Sequence, residues 1–156
     1  MLEIAIPGAP TLRLAHLLLD YNGTLACRGM LVEGVSERLS RLARHLEIHV
    51  LTADTFGTAH RQVARLPVSL AVIPPDHQAE AKAAHLRRLG AGQAAAIGNG
   101  RNDRLMLQEA ALGIAVLQGE GAARETLLAA QVVALNILEA LDLLLHPDSL
   151  RATLRT

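Results

Sequence analysis

The chain has 156 residues and carries 15 basic and 15 acidic side chains, a balance that excludes a global field able to draw it to nucleic acid or anionic lipid. One Phe, one Tyr and no Trp leave a core of Leu, Val, Ile and Ala and exclude a stacking platform for single-stranded nucleic acid. A lone cysteine, Cys27, cannot form an internal disulfide, and with no signal-like start the expectation is a reducing cytoplasm.

Residues 1–15 read as a β-hairpin, with apolar alternation over 2–6 and 12–14 about the turn Pro7-Gly8-Ala9-Pro10. The apolar run 16–19 ends on Asp20 and suits a strand buried on both faces, closed by the turn Asn22-Gly23. Val35, Leu39, Leu42 and Leu46 recur at helical spacing and predict a helix over 35–46. A strand over 48–51 stops at Thr52, a helix covers 57–65, and a strand over 68–73 is ended by Pro74-Pro75. Beyond them the pattern predicts helix 78–89, strand 94–97, helix 103–111, strand 113–116, helix 121–130, strand 131–133 and helix 136–145, which His146-Pro147 stops; 147–156 reads as a tail.

The segment 127–145 is apolar enough to be taken for a membrane span, but Gln131, Asn136, Glu139 and Asp142 interrupt it. A charge near a bilayer centre costs about 2.5–3.5 kcal/mol, so a strand followed by an amphipathic helix is the better reading. Strands alternating with helices over 16–146 predict a single α/β domain spanning 1–156, Rossmann-like and doubly wound, with a mainly parallel sheet. In such sheets ligands bind outside the carboxyl ends of the strands, at the point where the strand order reverses.

Four of those ends carry polar residues: Asp20, Asn22 and Thr24; Thr52 and Asp54; Lys82; and Asn99, Asn102 and Asp103. Each alone has a plain account as a turn, a helix cap or a solvated lysine. In this order and context they resemble the motifs of the haloacid dehalogenase (HAD) superfamily. Leu17-Leu18-Leu19-Asp20-Tyr21-Asn22-Gly23-Thr24 is similar to its first motif, Val50-Leu51-Thr52-Ala53-Asp54 to the second in its P-type ATPase form, Lys82 to the third-motif lysine, and Gly98-Asn99-Gly100-Arg101-Asn102-Asp103 to the fourth. Within the superfamily the chain resembles the phosphorylation domain of P-type ATPases and the small soluble P-type ATPase-like proteins. No cap domain fits between Thr24 and Thr52 or between Thr52 and Lys82.

The resemblance implies an aspartyl-phosphate on Asp20, with Asn22, Thr52 and Lys82 as its catalytic companions. It implies phosphate binding by Asn22, Gly23, Thr24, Thr52, Ala53 and Lys82, and Mg2+ held by Asp20, the Asn22 carbonyl, Asn99 and Asp103. Asn22 stands where HAD phosphatases carry the acid/base Asp. An amide can neither protonate a leaving group nor activate water, assistance that is typically worth about 10²–10⁴ in rate, so slow turnover is expected. Asn99 likewise withholds one negative charge from the metal. The alternative reading is a non-catalytic module on the same fold that senses a phosphorylated ligand or binds a protein. The expected partner is a phosphorylated small molecule or phosphoprotein, not nucleic acid or membrane, and homo-oligomerisation through the apolar face of 136–145 or the hairpin edge is a further expectation. Cys27 reads as a small loop residue, Arg87-Arg88 as a solvated face, Gly119-Glu120-Gly121 as a loop before a helix, and the seven histidines show no paired ligand spacing on any one helix.

Overall fold

The fold comes from a computed structural model, which describes residues 1–54 and 57–156. In chain order its elements are β1 (Leu2–Ile4), β2 (Leu12–Leu14), β3 (His16–Asp20), β4 (Ala26–Cys27), β5 (Met30–Leu31), α1 (Val35–Leu42), β6 (Glu47–Thr52), α2 (Thr58–Val63), β7 (Ser69–Val72), α3 (Gln78–Leu89), β8 (Ala94–Gly98), α4 (Arg104–Glu109), β9 (Leu112–Val116), α5 (Arg124–Ala129), β10 (Val132–Ala134), α6 (Ile137–Leu145) and α7 (Pro147–Leu154).

Six strands make one sheet in the order β7-β6-β3-β8-β9-β10, all parallel. By rank along the chain this is the doubly wound order, which reverses between β3 and β8. β3 lies at the centre, and Leu17, Leu18 and Leu19 are wholly buried, as a strand covered on both faces requires. The side-chain period of two sends alternate residues to opposite layers. Leu17 and Leu19 join Val35, Leu39, Ile137 and Leu141 on one face, while Leu18 joins Leu51, Leu86, Met106 and Leu107 on the other. β1 and β2 form the expected antiparallel hairpin, with Leu2 opposite Leu14.

Local differences from the sequence reading have local causes. α1 ends at Leu42, because the N–H groups of Arg44 and His45 turn to the carbonyls of Arg41 and Leu42 and tighten the chain. A 3₁₀ turn over 101–103 precedes α4. α5 starts at Arg124 rather than near Gly121, since Gly121 has φ +72° and Ala123 is extended. The region read as a tail contains α7. Pro147 stops α6 and also opens α7, at the first helical position, where the missing N–H costs nothing. A small hairpin of β4 and β5, unforeseen in the sequence, turns through Arg28 and Gly29 at φ +51° and +81°. The Tyr21 hydroxyl fastens it by donating to the Gly29 carbonyl at 2.8 Å.

No helix among the described residues is long and apolar enough to cross a membrane, and 127–145 divides into the end of α5, β10 and α6. Ile137, Leu141 and Leu144, the face expected to promote association, are buried within the monomer and complete its core. Exposed apolar side chains lie instead at and beyond the edge strand β10, at Val133 and Leu135.

Candidate active site

Since β3 and β8 are neighbours across the reversal of strand order, the residues that follow them face one another. Asp20 ends β3. Asn99 follows the last residue of β8, and a tight turn brings Asp103 back beneath it: the Asn99 and Gly100 amides both donate to Asp103 Oδ2 at 3.0 Å. Gly98 makes this return possible, because a Cβ there would lie 2.4 Å from the Asp103 Cγ.

Lys82 reaches the same point from α3. Its ammonium donates to Asp20 Oδ1 and to Asp103 Oδ1, each at 2.6 Å, and the residue is 1% exposed. The plain account of Lys82 as a solvated helix residue is therefore wrong. Thr24 Oγ1 donates to Asp20 Oδ2 at 3.0 Å and lies 3.3 Å from Asn99 Oδ1. Asn99 Nδ2 donates in turn to the Gly121 carbonyl at 3.0 Å. Asp20, Thr24, Lys82, Asn99 and Asp103 thus form one connected, buried polar cluster.

Its charges do not cancel, since two carboxylates share one ammonium. Burial, and then the Asp103 carboxylate, push Asp20 up from 3.8 to about 6 against the opposing pull of Lys82. Burial alone would lower Lys82, but Asp20 and Asp103 more than offset it and hold the ammonium above its ordinary value. The excess negative charge and the all-oxygen donor set suit a hard divalent cation such as Mg2+.

The other predicted residues surround this cluster. Thr52 is buried at the end of β6, next to β3, and its Oγ1 accepts from the Asp54 amide at 3.2 Å, which leaves the hydroxyl hydrogen free to donate. Ala53 is half-buried beside it. Asp54 is occupied at the start of α2, its carboxylate accepting from the amides of Ala59 at 2.7 Å and His60 at 3.1 Å. Gly23 has φ +81°, and a Cβ there would lie 2.6 Å from Asn99 Nδ2. Asn22 is exposed and joins no side-chain bond of the cluster.

Two residues were not anticipated. Gln118, just beyond β9, donates from Nε2 to the carbonyls of Gly23 and Thr24 at 3.0 and 2.7 Å and accepts from the Ile137 amide at 2.8 Å, tying the turn after β3 to α6. Its place after the fifth strand of the sheet was the available signal. Glu120 is exposed, yet its carboxylate would lie 2.5 Å from a Cβ added at Gly23, so it stands at the mouth of the site. A groove of about 480 Å³ between β10 and the C-terminal helices, lined by Val133, Leu135, Asp142 and His146 among others, includes no residue of the Asp20–Lys82–Asp103 cluster.

Solved structures share this arrangement of strands. A 3-deoxy-D-manno-octulosonate 8-phosphate phosphatase from Moraxella catarrhalis, in complex with magnesium, phosphate and KDO, superposes with a TM-score of 0.68 at 18% identity, over 90% of this chain and 92% of that one. The cobalt-bound deoxy-D-mannose-octulosonate 8-phosphate phosphatase (YrbI) of Haemophilus influenzae gives 0.72 at 16% identity, over 92% and 94%. A Legionella pneumophila protein described as a candidate HAD superfamily hydrolase of subfamily III A gives 0.72 at 18%, over 90% and 86%. The fold is that of the HAD hydrolases. No known family profile matches the sequence. Two uncharacterized proteins of Methanocaldococcus jannaschii do: MJ0073, 52% identical over 60 residues, which are 38% of this chain and 64% of that protein, and MJ0072, 54% identical over 39 residues, which are 25% of this chain and 89% of that protein. The chain belongs to the family of MJ0072, and it spans 64% of the length of MJ0073.

Proposed function

We propose that the chain is a Mg2+-dependent phosphohydrolase of low turnover that forms an aspartyl-phosphate on Asp20. The observation that carries this reading is the buried Lys82 ammonium 2.6 Å from Asp20 Oδ1, at the reversal of strand order. A carboxylate so placed is a nucleophile with its counter-charge already in position. Phosphatases of this fold act, by their names, on a sugar-acid 8-phosphate, which supports a phosphorylated small molecule as substrate.

In the first step an Asp20 oxygen bonds to phosphorus as the bond to the leaving oxygen breaks, and that oxygen departs with the electron pair. Lys82, the Thr52 hydroxyl and the Asn22 backbone N–H hold the equatorial oxygens; the backbone N–H groups of Gly23 and Thr24, expected from the sequence to share this role, donate instead to the carbonyls of Ala26 and Tyr21 within the turn. Mg2+ bound by Asp20, the Asn22 carbonyl, Asn99 and Asp103 would neutralise the excess charge of the cluster and polarise the phosphoryl group. The leaving oxygen must take its proton from water, because the Asn22 amide has none to give. Water then cleaves the acyl phosphate without a base at that position, so the second step is slow as well. This fits the resemblance to P-type ATPases, whose phosphoenzyme persists until another domain promotes its hydrolysis.

Incubation with p-nitrophenyl phosphate and Mg2+ tests the reading, with trapping of the acyl phosphate by hydroxylamine. Wild type should release p-nitrophenol slowly and yield a trappable adduct, and Asp20→Asn should do neither. Equal activity in the two proteins would sink the mechanism. Phosphate binding without any adduct in wild type would favour the sensing module instead, a reading that Asn22 and Asn99 support.

A further inference from the structure

At the opposite end of β3 from Asp20 lies a group of side chains that the phosphoryl chemistry does not use. His16 opens β3 and Glu47 opens β6; the two are paired in register, and His49 lies two residues beyond Glu47 on the same face. Four residues of extended strand, about 13 Å, separate His16 from Asp20, so this group is not part of the catalytic cluster. One donor atom from each of His16, Glu47 and His49 can be chosen so that all three lie within 4.8 Å of one another. His16 Nδ1 is 3.3 Å from Glu47 Oε2, and His49 Nε2 is 4.0 Å from the same oxygen.

Both nitrogens are buried and neither makes a hydrogen bond. The side chains of His16 and His49 are 15% and 13% exposed, against 74% for Glu47, so two imidazoles point inward and a carboxylate closes over them from solvent. A buried polar atom without a partner requires an explanation, and an ion is one that the chemistry here supplies. Two donors each about 2.0–2.1 Å from zinc and subtending a tetrahedral angle lie about 3.3 Å apart. The His16–Glu47 separation has this value already, and the His49–Glu47 separation of 4.0 Å exceeds it at a carboxylate that is exposed and so least constrained of the three donors. The contacts are too long for strong ion pairs, yet they suit donors that share an ion between them.

We propose that His16 Nδ1, Glu47 Oε2 and His49 Nε2 form a site for Zn2+ that clips the start of β3 to the start of β6, with water at the fourth position. Imidazole nitrogen and carboxylate oxygen are ordinary zinc donors, whereas a hard cation such as Mg2+ takes oxygen and disfavours two imidazoles. Burial, and then His16, hold His49 below its ordinary value, in keeping with a neutral ring whose lone pair is available. His85 stands edge-on to His49 with ring centroids 5.5 Å apart, but it lies outside the donor set, and its Nδ1 is 2.8 Å from Arg88 Nη2. The site joins the adjacent strands that carry Asp20 and Thr52, so the ion stabilises the scaffold of the active site without entering it.

The test is calorimetric titration of the chelator-stripped full chain with ZnCl2 in the absence of Mg2+, together with its thermal midpoint. Expected is one zinc per chain at micromolar affinity or tighter, with a midpoint that rises with zinc. His49→Ala and Glu47→Gln should each weaken binding by at least the ~10–100-fold that loss of a mere supporting partner costs. Glu47→Gln alters an exposed side chain and keeps the fold, so it decides the matter even where His49→Ala fails to fold. Asp20→Asn and His85→Ala should bind zinc as wild type does. No saturable zinc binding, binding unchanged in Glu47→Gln and His49→Ala, or binding lost in Asp20→Asn would each overturn the proposal, the last by placing the ion at the catalytic carboxylates.

Discussion

Lys82 and Asp20 are 62 residues apart in sequence and 2.6 Å apart in space, with the ammonium sealed from solvent and shared with Asp103. A buried ion pair is weak evidence for stability, because desolvation opposes the attraction. Here one cation serves two carboxylates, and the arrangement makes chemical sense as a site awaiting further positive charge.

Lys82→Met, of similar length and apolar, removes the cation and strands both carboxylates. Breaking a buried pair in this way costs about 3–5 kcal/mol, and urea denaturation at pH 7.5 should show a loss of that order. Without the ammonium, Asp20 rises further above its ordinary range. A carboxylate raised in the folded state supports folding below its unfolded value and loses that support as pH increases. The deficit relative to wild type should therefore shrink toward pH 5. An equal deficit at pH 5 and pH 8 would show that lost packing, not stranded charge, sets the cost.

Asp20→Asn should stabilise the protein while abolishing turnover. Asp20 is raised in the fold from 3.8 to about 6, so the folded state favours its protonated form, and the stability this confers is lost as pH climbs from about 4 to 6. Above that range the charged carboxylate costs up to about 3 kcal/mol. An amide that still accepts from Lys82 avoids most of this cost, and we expect a gain of about 1–2 kcal/mol at pH 7.5 that vanishes near pH 4. Thermal unfolding at the two pH values checks it, and a midpoint lower than wild type at pH 7.5 would refute the electrostatic account. In the wild type, turnover at limiting Mg2+ should rise with pH through about 6, as the nucleophile ionises.

Asn22→Asp and Asn99→Asp should differ in kind. Asn22 is exposed, so an aspartate there folds without penalty and supplies a proton-transfer group, raising turnover at saturating Mg2+ by up to about 10²-fold. Asn99 is buried and its Nδ2 donates to the Gly121 carbonyl. An aspartate loses that bond and adds a third carboxylate, at a cost of about 1–3 kcal/mol in chelator, which Mg2+ should reverse while the Mg2+ needed for half activity falls. Both asparagines precede glycine, so peptide mapping of fresh protein must exclude deamidation. No gain from fresh Asn22→Asp would mean that Asn22 does not limit hydrolysis.

Sequence by itself determined the alternation of strands and helices, the doubly wound class, and the polar residues at the strand ends, because periods of 2 and 3.6 and the turn-forming residues are local properties. Helix 78–89 is found where Gln78, Ala79, Ala83 and Leu86 indicate. Proline and glycine were harder to read, since Pro147 both ends one helix and begins the next, a choice that depends on what packs beyond it. Only the tertiary structure decided that Lys82 is buried, that Gln118 fastens the catalytic turn, and that His16 lies in register with Glu47. No periodicity along one strand encodes its partner's register, because the pairing of β3 with β6 is set by the crossover through α1 and by the burial of both faces of the sheet. The pair of imidazoles beneath one carboxylate arises from that pairing, and the pair of carboxylates around one ammonium from the pairing of β3 with β8 on its other side, at opposite ends of the same strand.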